Sequence, residues 1–420
     1  MFTLLPVEGG LLSRKRKQIN LLNAILKKIN HYQVSNPERL PYYFNKLVSF
    51  HKKSIEKGEA SPPIKSWFTT HPLFKIQKQI EQIVNNHTLR LEIIELSQQM
   101  NLLDIYKRYE GKDSFRSLIQ ADLRTVNSKY KAVSLGGGNN PLVKVTLSND
   151  HHFVIRFLRL NSHEDANALS PKTARERLVG MKQISQPYLL QRIEDDYQEV
   201  TYLECSEYHE HGSLETLFQE LHQQKNKKDK TPVDLNPLVL LYAQQFLEFF
   251  VALNQQNVWY TDLKPSNILL RGDGGIILSD IKGLVISSEK RVLSSRTSTT
   301  PAYYQSSVYR DKEINLERLQ RQTLATTLYE LACHKLPTPQ ITTHPHWKNK
   351  YDFEQPCFET EEGQLIKTLI LELNKRKSQP LSYFLNKLAT FTADKEQHLE
   401  QLRETKCPPI ELDDSHSFSI

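Results

Sequence analysis

Two apolar stretches joined by a turn decide the fold of this chain: residues 260–270 are YTDLKPSNILL, and residues 276–283 are IILSDIKG. Each stretch combines a short apolar run with a polar loop. The intervening residues 271–275, RGDGG, are typical of a tight turn. The sequence therefore predicts a hairpin of two short strands with carboxylate and amide side chains at its ends.

Three oxygen-bearing side chains stand out in this block. Asp262 lies five residues before Asn267 and eighteen residues before Asp280. Carboxylate and amide oxygens are hard ligands that suit Mg²⁺ held against phosphates. Such a set would also leave one free carboxylate to orient a nucleophile.

The order and spacing of these residues resemble the eukaryotic-type protein kinase superfamily, over roughly residues 130–345. Residues 260–262 stand where that family has His-Arg-Asp, and residues 280–283 stand where it has Asp-Phe-Gly. The resemblance implies an α+β, bilobal protein-kinase-like fold with a small β-rich lobe and a large helical lobe. It also implies that Asp262 orients the substrate hydroxyl and that Lys264 neutralises the transferring phosphoryl group. The metal would be held by Asn267 and Asp280.

The chain before this block has the pattern of a small β-rich lobe. Segments 131–135, 142–147 and 152–158 are rich in β-branched residues and are separated by turn residues, which predicts three strands. A helical stretch is expected at about 171–185, followed by strands near 188–193 and 199–205.

The resemblance implies a nucleotide site built from these elements. A glycine-rich loop would cover the phosphates, a hinge at 206–209 would carry the adenine, and Arg156 would take the place of the family's lysine. Arg156 would pair with Glu176, whereas Lys144 is a weaker substitute because alternation sends it to the opposite face from Val143. The predicted nucleotide-binding residues are Gly136, Gly137, Gly138, Val143, Val154, Arg156, Glu176, Glu207 and His209.

Further departures from the family concern regulation and bracing. Thr261 replaces the arginine before the catalytic aspartate, so the usual switch from phosphate to arginine is absent. Gln320 replaces the helix aspartate that braces the catalytic loop, and Pro141 replaces the third glycine of the loop. Thr300 resembles the threonine that contacts the catalytic aspartate in Ser/Thr-specific members.

The retained residues favour transfer of the γ-phosphoryl group of ATP, with Mg²⁺ or Mn²⁺, to Ser/Thr hydroxyls of a protein substrate. Two alternatives stay open. The first is a pseudokinase that binds nucleotide or partners without turnover, which Arg156, Pro141 and Gln320 favour. The second is a kinase-fold enzyme with another acceptor.

The excess positive charge of +7 belongs to the first third of the chain, because residues 1–130 hold 21 Lys and Arg against 11 Asp and Glu. Apolar residues such as Ile19, Leu22 and Leu26 recur there at helical spacing. The expected domains are a helical N-terminal region (1–125), a protein-kinase-like domain (126–390, with a small lobe 126–208 and a large lobe 209–390), and an acidic helix end with a disordered tail (391–420).

The partners and location are less sharply defined by sequence. The basic run at 14–17, RKRK, has the pattern of a nuclear import signal or of a contact with an anionic surface, but it fits the solvated start of an amphipathic helix better. We expect no nucleic-acid partner and no transmembrane segment, because no stretch approaches the roughly 20 apolar residues of a span. A soluble, cytoplasmic protein is expected. The glycine-poor composition, rich in Lys, Asn and Gln, and the degenerate motifs suggest a bacterial effector kinase, a virulence factor secreted into a host cell, with a host protein as substrate. The acidic face of Glu396, Glu400 and Glu404 is similar to the secretion signals of such effectors, but it fits a solvated helix end better.

Overall fold

The computed structural model describes residues 13–56, 73–135, 141–160, 173, 177–178, 180–193, 200–225, 234–343 and 346–393. The chain divides into two compact units. The first takes in the chain up to Glu110 with residues 114–132 and 146–151. The second takes in residues 111–113, 133–145 and the chain from His152 onward. The expected domain boundaries at 125 and 390 stay predictions, and the predicted tail from 394 onward lies outside the described residues.

The first unit is helical. Its helices are α1 (Ser13–Ser35), α2 (Leu40–Glu56), α3 (Leu73–Gln99), α4 (Leu102–Arg108) and α5 (Lys112–Val126). The apolar face of α1 is buried, with Ile19, Leu22 and Leu26 fully inaccessible. This face packs with Leu40 of α2 and Ile76 of α3 in one apolar core. Helical periodicity in the sequence therefore predicted this region correctly.

The small lobe is built on a five-stranded sheet. Its strands are β1 (Lys131–Leu135), β2 (Leu142–Thr146), β3 (His152–Leu160), β4 (Leu189–Ile193) and β5 (Val200–Glu207). The spatial order is β1-β2-β3-β5-β4, and β5 pairs antiparallel with both β3 and β4. Alternation along β2 buries Val143 and Val145 completely.

The helix expected at about 171–185 ends earlier than predicted. Thr173 and Arg177 are helical, whereas the described residues from Leu178 to Pro187 form turns, irregular backbone and one isolated bridge. That bridge joins Ile184 to Leu278 of the large lobe. The apolar side chain of Ile184 is therefore buried by contact with the large lobe rather than by continuation of the helix.

The large lobe is mainly helical. Its helices are α6 (Leu214–Lys225), α7 (Asn236–Gln255), α8 (Leu316–Cys333), α9 (Glu361–Asn374) and α10 (Leu381–Ala393). Helix α7 lies in the core, where Phe246 and Phe250 are fully buried and pack with Leu328 of α8 and Ile370 of α9. A small sheet lobe followed by a larger helical lobe is the α+β arrangement that the sequence predicted.

Short strands complete the large lobe. They are β6 (Val258–Tyr260), β7 (Ile268–Leu270), β8 (Ile276–Leu278), β9 (Leu284–Ile286), β10 (Arg291–Leu293), β11 (Tyr309–Arg310), β12 (Glu313–Asn315), β13 (Thr338–Thr343) and β14 (His346–Lys350). Strand β12 lies between β10 and β11, and β13 pairs with β14.

Helix α8 has a distinct cap at each end. It starts at Leu316 because the Asn315 side chain caps it, accepting a hydrogen bond from Arg318 N at 2.8 Å. It ends at Cys333 because His334 adopts the left-handed conformation, with φ of 54°.

Among the described helices, α7 is long and apolar enough to cross a membrane by length and composition. Its apolar window is 72% buried within the protein, so its hydrophobicity is explained by the core of the large lobe.

Candidate active site

Two short antiparallel ladders bring the predicted active-site loops together. Strand β6 pairs with β9, and β7 pairs with β8 inside that ladder. Because both pairings are antiparallel, loops 261–267 and 279–283 emerge at the same end. Two backbone hydrogen bonds join these loops: Thr261 N donates to Gly283 O at 2.8 Å, and Ser279 N donates to Asn267 O at 3.0 Å.

Asn267 holds Asp262 within the first loop. The Nδ2 atom of Asn267 donates to Oδ2 and to the backbone oxygen of Asp262, at 2.9 Å each. Both residues are buried, at 7% exposure for Asp262 and 8% for Asn267. Because the amide nitrogen is committed to Asp262, the Oδ1 atom of Asn267 is directed elsewhere and can serve as a ligand.

Thr300 and Lys264 also hold the Asp262 carboxylate. The Thr300 hydroxyl donates to Oδ1 of Asp262 at 2.6 Å. Lys264 Nζ donates to the Thr300 hydroxyl at 2.9 Å and lies 3.2 Å from Oδ2 of Asp262. The side chain of Lys264 is 24% exposed, so its ammonium still reaches the surface of the cleft.

Asp280 lies in the second loop and turns the chain. Its Oδ1 accepts a hydrogen bond from Lys282 N at 3.0 Å, which caps the short 3₁₀ turn Ile281–Gly283. Burial, followed by the charges of Asp280 and Asp262, raises the pKa of the fully buried Tyr260 well above its ordinary value. Tyr260 therefore stays neutral, and its hydroxyl accepts a hydrogen bond from Asn267 Nδ2 at 3.3 Å.

The donor set fits a divalent cation and a nucleotide. Asn267 offers a free carbonyl oxygen, and Asp280 keeps one carboxylate oxygen without a hydrogen bond to any described residue. These hard oxygen ligands are of the kind that Mg²⁺ or Mn²⁺ binds beside phosphates. The residues that would cover the phosphates, Gly136, Gly137 and Gly138, lie outside the described residues.

Arg156 lies on β3, and its partner among the described residues is Glu204 on β5. Arg156 Nη2 donates to Glu204 Oε1 at 3.0 Å. Both side chains are removed from water, at 11% and 3% exposure. The expected partner, Glu176, lies outside the described residues. Sequence reasoning missed Glu204 because only the register of β3 against β5 brings it opposite Arg156.

Lys144 does not take the place of the missing lysine. Its Nζ lies 4.0 Å from the centre of the Tyr208 ring, a cation–π contact between β2 and the hinge. Val143, the neighbouring residue, is fully buried on the other face of the strand. The ammonium of Lys144 therefore braces the hinge.

The hinge follows β5. Glu207 is the last residue of that strand, is exposed, and stands opposite Phe153 in the ladder. Val154, opposite Ser206, is buried at 8% exposure. Burial, with smaller contributions from Arg271 and His211, lowers the pKa of His209 to about 4. His209 is therefore a neutral imidazole at physiological pH.

Comparison with known proteins agrees with this geometry. The family model described as "Protein kinase domain" matches residues 130–405, about two thirds of the chain. The chain belongs to the protein kinase family. The kinase fold follows a helical N-terminal region, and both ladders of the active-site loops lie inside the matched range.

Individual relatives are distant. A stretch of 112 residues, 27% of this chain, is 29% identical to rhodopsin kinase GRK1 of Rattus norvegicus. The human protein of the same name is 27% identical over 112 residues. The chain spans about a fifth of the length of these relatives. Among solved structures, the ROP18 kinase domain in complex with AMP-PNP and sucrose has a TM-score of 0.45 and 14% identity, and the match covers 65% of this chain and 83% of that chain.

Thr261 occupies the position of the family's arginine in this kinase domain. It is buried at 1% exposure, and its hydroxyl is shared between Gly283 O at 2.9 Å and Ser298 O at 2.8 Å. A neutral hydroxyl thereby joins the catalytic loop to the segment before Thr300.

Bracing by α8 also differs from the family pattern. Gln320 is fully buried, and its side-chain amide is 3.0 Å from that of Asn254 on α7. The catalytic loop is held instead by Thr327, whose hydroxyl donates to Leu263 O at 3.3 Å. The signal in the sequence for this contact was Thr327 itself, a polar residue on a helix that is buried along most of its length.

The end of the segment that carries Thr300 is anchored on the same helix. The Tyr303 hydroxyl donates to Glu330 Oε2 at 2.6 Å. Burial is the main cause that raises the pKa of Glu330. The bond fixes the residues immediately after Thr300 against the large lobe.

Proposed function

We propose that this protein transfers the γ-phosphoryl group of ATP, with Mg²⁺ or Mn²⁺, to serine and threonine hydroxyls of a protein substrate. The observation that carries the proposal is the positioning of the Asp262 carboxylate: Asn267 and Lys264 contact its Oδ2 atom, and Thr300 donates to its Oδ1 atom. Phosphoryl transfer depends mainly on positioning and charge neutralisation, and this loop supplies both.

Asp262 is the residue that orients the acceptor. Each carboxylate oxygen can accept two hydrogen bonds, and Oδ1 accepts one from Thr300. The remaining lone pair is available to a substrate hydroxyl, which would approach through the 10% of the side chain that stays exposed. Asp262 would then receive the hydroxyl proton as the new phosphate ester forms.

The other residues neutralise charge. Lys264 lies beside Asp262 and would stabilise negative charge on the phosphoryl oxygens. Asn267 and Asp280 would hold the metal, which supplies neutralisation of the phosphates when bound. Arg156 would face the nucleotide from the small lobe. The nucleotide would also be surrounded by Val143, Val154 and the hinge residues Glu207 and His209.

The test measures phosphate transfer from γ-labelled ATP to a generic basic protein substrate in the presence of Mg²⁺ or Mn²⁺. Asp262→Asn and Asp280→Asn should each abolish transfer, because each removes one charge with almost no change of shape. Asp311→Asn is the matched control, since Asp311 is exposed and has a φ of 57° that asparagine also adopts. Phosphate transfer at the wild-type rate in both active-site variants would contradict the proposal.

A pseudokinase is the second candidate. The observation that favours it is that Arg156 pairs with Glu204. A guanidinium that is bound to a carboxylate has fewer donors left for phosphates. Calorimetric titration with ATP separates binding from turnover. Binding without transfer would support the pseudokinase, whereas transfer that Asp280→Asn abolishes would exclude it.

Two finer proposals concern the acceptor and the location. Mass spectrometry of the reaction product distinguishes a protein acceptor from a small molecule. Delivery of this kinase from a bacterium into host cytosol rests on composition and on Glu396, Glu400 and Glu404, which lie outside the described residues. Delivery that persists after removal of residues 395–420 would contradict that role for the tail.

Contact with an anionic surface is proposed for the basic N-terminal run. Arg16 and Lys17 are exposed at the start of α1, as such a contact requires. Binding to vesicles that contain phosphatidylserine, lost on replacing residues 14–17 by glutamine, tests it.

A further inference from the structure

The ion pair between Arg156 and Glu204 is built into the sheet of the small lobe. The two residues stand directly opposite each other in the antiparallel ladder of β3 and β5. Their Cβ atoms are therefore close neighbours on the same face, which is why one guanidinium nitrogen reaches the carboxylate at 3.0 Å. The pair needs no other element to bring it together.

The pair lies between a polar end and an apolar end of that face. Toward the hinge, the next pair on the same face is Val154 with Ser206. In the other direction, Leu158 and Tyr202 form a small apolar cluster. That cluster excludes water from the side of the pair that faces Leu158 and Tyr202.

A guanidinium suits this arrangement better than an ammonium. Arginine presents five donors in a planar fork, so one edge can bind a neighbouring carboxylate while another edge binds a phosphate oxygen. Arg156 commits Nη2 to Glu204, and its Nε is buried without a hydrogen-bond partner among the described residues. A lysine ammonium held at this carboxylate would present a point charge with no second edge.

We propose that Glu204 is the positioning residue for Arg156 in nucleotide binding. In protein kinases the corresponding cation is held by a glutamate on a mobile helix, and movement of that helix regulates the enzyme. Here the carboxylate comes from the adjacent strand, so the orientation of the cation is a fixed property of the sheet. The contact between Glu204 and Arg156 therefore does not depend on helix movement. This inference rests on the proposed function in one respect only, namely that ATP is the ligand.

The experiment is a double-variant cycle on the affinity for ATP with Mg²⁺, measured by calorimetric titration of the full chain. Glu204→Gln keeps the shape and removes the charge, and it should weaken ATP binding roughly tenfold or more. Arg156→Met should weaken binding at least as much. Because Glu204 acts through Arg156, adding Glu204→Gln to Arg156→Met should cause no further loss.

Stability needs a separate readout, because breaking a buried ion pair destabilises the fold. The variant Arg156→Met with Glu204→Leu replaces both charges by apolar groups, and it should recover the wild-type melting temperature while its ATP affinity stays low. A pair with a merely structural role would recover both quantities in this variant. Glu220→Gln, an exposed glutamate on α6, serves as the control and should change neither.

The outcomes separate this inference from the proposed function. Unchanged ATP affinity in Glu204→Gln, or additive losses in the cycle, would overturn the positioning role even if phosphate transfer is intact. Wild-type protein that binds ATP but transfers no phosphate contradicts the proposed function, and the cycle on binding still decides the role of Glu204. Wild-type protein that binds no ATP overturns both.

Discussion

The hydroxyl of Thr300 donates a 2.6 Å hydrogen bond to Oδ1 of Asp262, although 38 positions separate the two residues in the chain. The bond joins the loop between β6 and β7 to the segment that follows β10. Lys264 bridges the two, because it contacts both the Thr300 hydroxyl and the Asp262 carboxylate. The Asp262 carboxylate therefore depends on a distant part of the chain for its position.

Replacing Thr300 by valine should lower kcat, because valine has the shape of threonine without the hydroxyl. We expect a loss of roughly 10- to 100-fold, the range typical of a misplaced general base, with little change in the KM for ATP. Steady-state kinetics with a protein substrate measures both quantities. Thr300→Ser keeps the hydroxyl and should retain most of the activity. Equal activity of the valine and serine variants would contradict a role for this bond.

Replacing Thr261 by valine should destabilise the large lobe. The hydroxyl of Thr261 is buried, and its loss removes a donor from the backbone oxygens of Gly283 and Ser298. An unsatisfied buried polar group costs about 1–3 kcal/mol, which lowers the melting temperature by several degrees. Differential scanning calorimetry measures the change, and Thr261→Ser is the matched control. A valine variant as stable as the serine variant would show that the hydroxyl is not needed.

Replacing Gly283 by alanine should distort the catalytic loop. A Cβ atom at this position would lie 2.7 Å from the ring of Tyr260 and 3.2 Å from Cβ of Asp262. Tyr260 is fully buried and cannot move aside. We therefore expect the free energy of unfolding to fall by about 1–3 kcal/mol and kcat to be reduced. Thermal unfolding and steady-state kinetics measure the two effects.

The control for this substitution is Gly272→Ala. There the added Cβ atom would meet its nearest neighbour, His211 Nε2, at an ordinary 3.5 Å. Its stability and kcat should match those of the wild type. Gly283→Ala with wild-type stability and activity would contradict the close packing of the two loops.

His209 should make the fold sensitive to mild acid. Burial, helped by Arg271 and His211, lowers its pKa in the folded protein to about 4, whereas the unfolded chain binds the proton near the ordinary value of 6.5. Between these values the unfolded state binds more protons. Stability is therefore lost as the pH falls from about 6.5 toward 4, and it is regained as the pH rises.

Melting temperatures of wild type and His209→Asn across this range test the effect. The loss on acidification should be smaller in the variant, because asparagine takes up no proton. His334→Asn removes an exposed histidine at a left-handed position that asparagine also adopts, and it should lose stability as the wild type does. Parallel curves for wild type and His209→Asn would exclude His209 as the cause.

The sequence by itself determined the kinase family, the helical N-terminal region and the order of the elements around the active-site loops. Those features follow from local information. The spacing of Asp262, Asn267 and Asp280 around two short apolar runs predicts a hairpin with polar loops at its ends. Helical periodicity identifies the buried face of α1 without any knowledge of distant contacts.

Only the tertiary structure decided which side chains meet. Alternation along β3 predicts the face on which Arg156 lies, but it does not predict which strand lies beside β3 or in what register. The partner is Glu204, 48 residues away, because β5 crosses beside β3 with Arg156 opposite Glu204. Likewise, the brace on the catalytic loop comes from Thr327, since the docking of α8, rather than its sequence, selects the residue that faces Leu263.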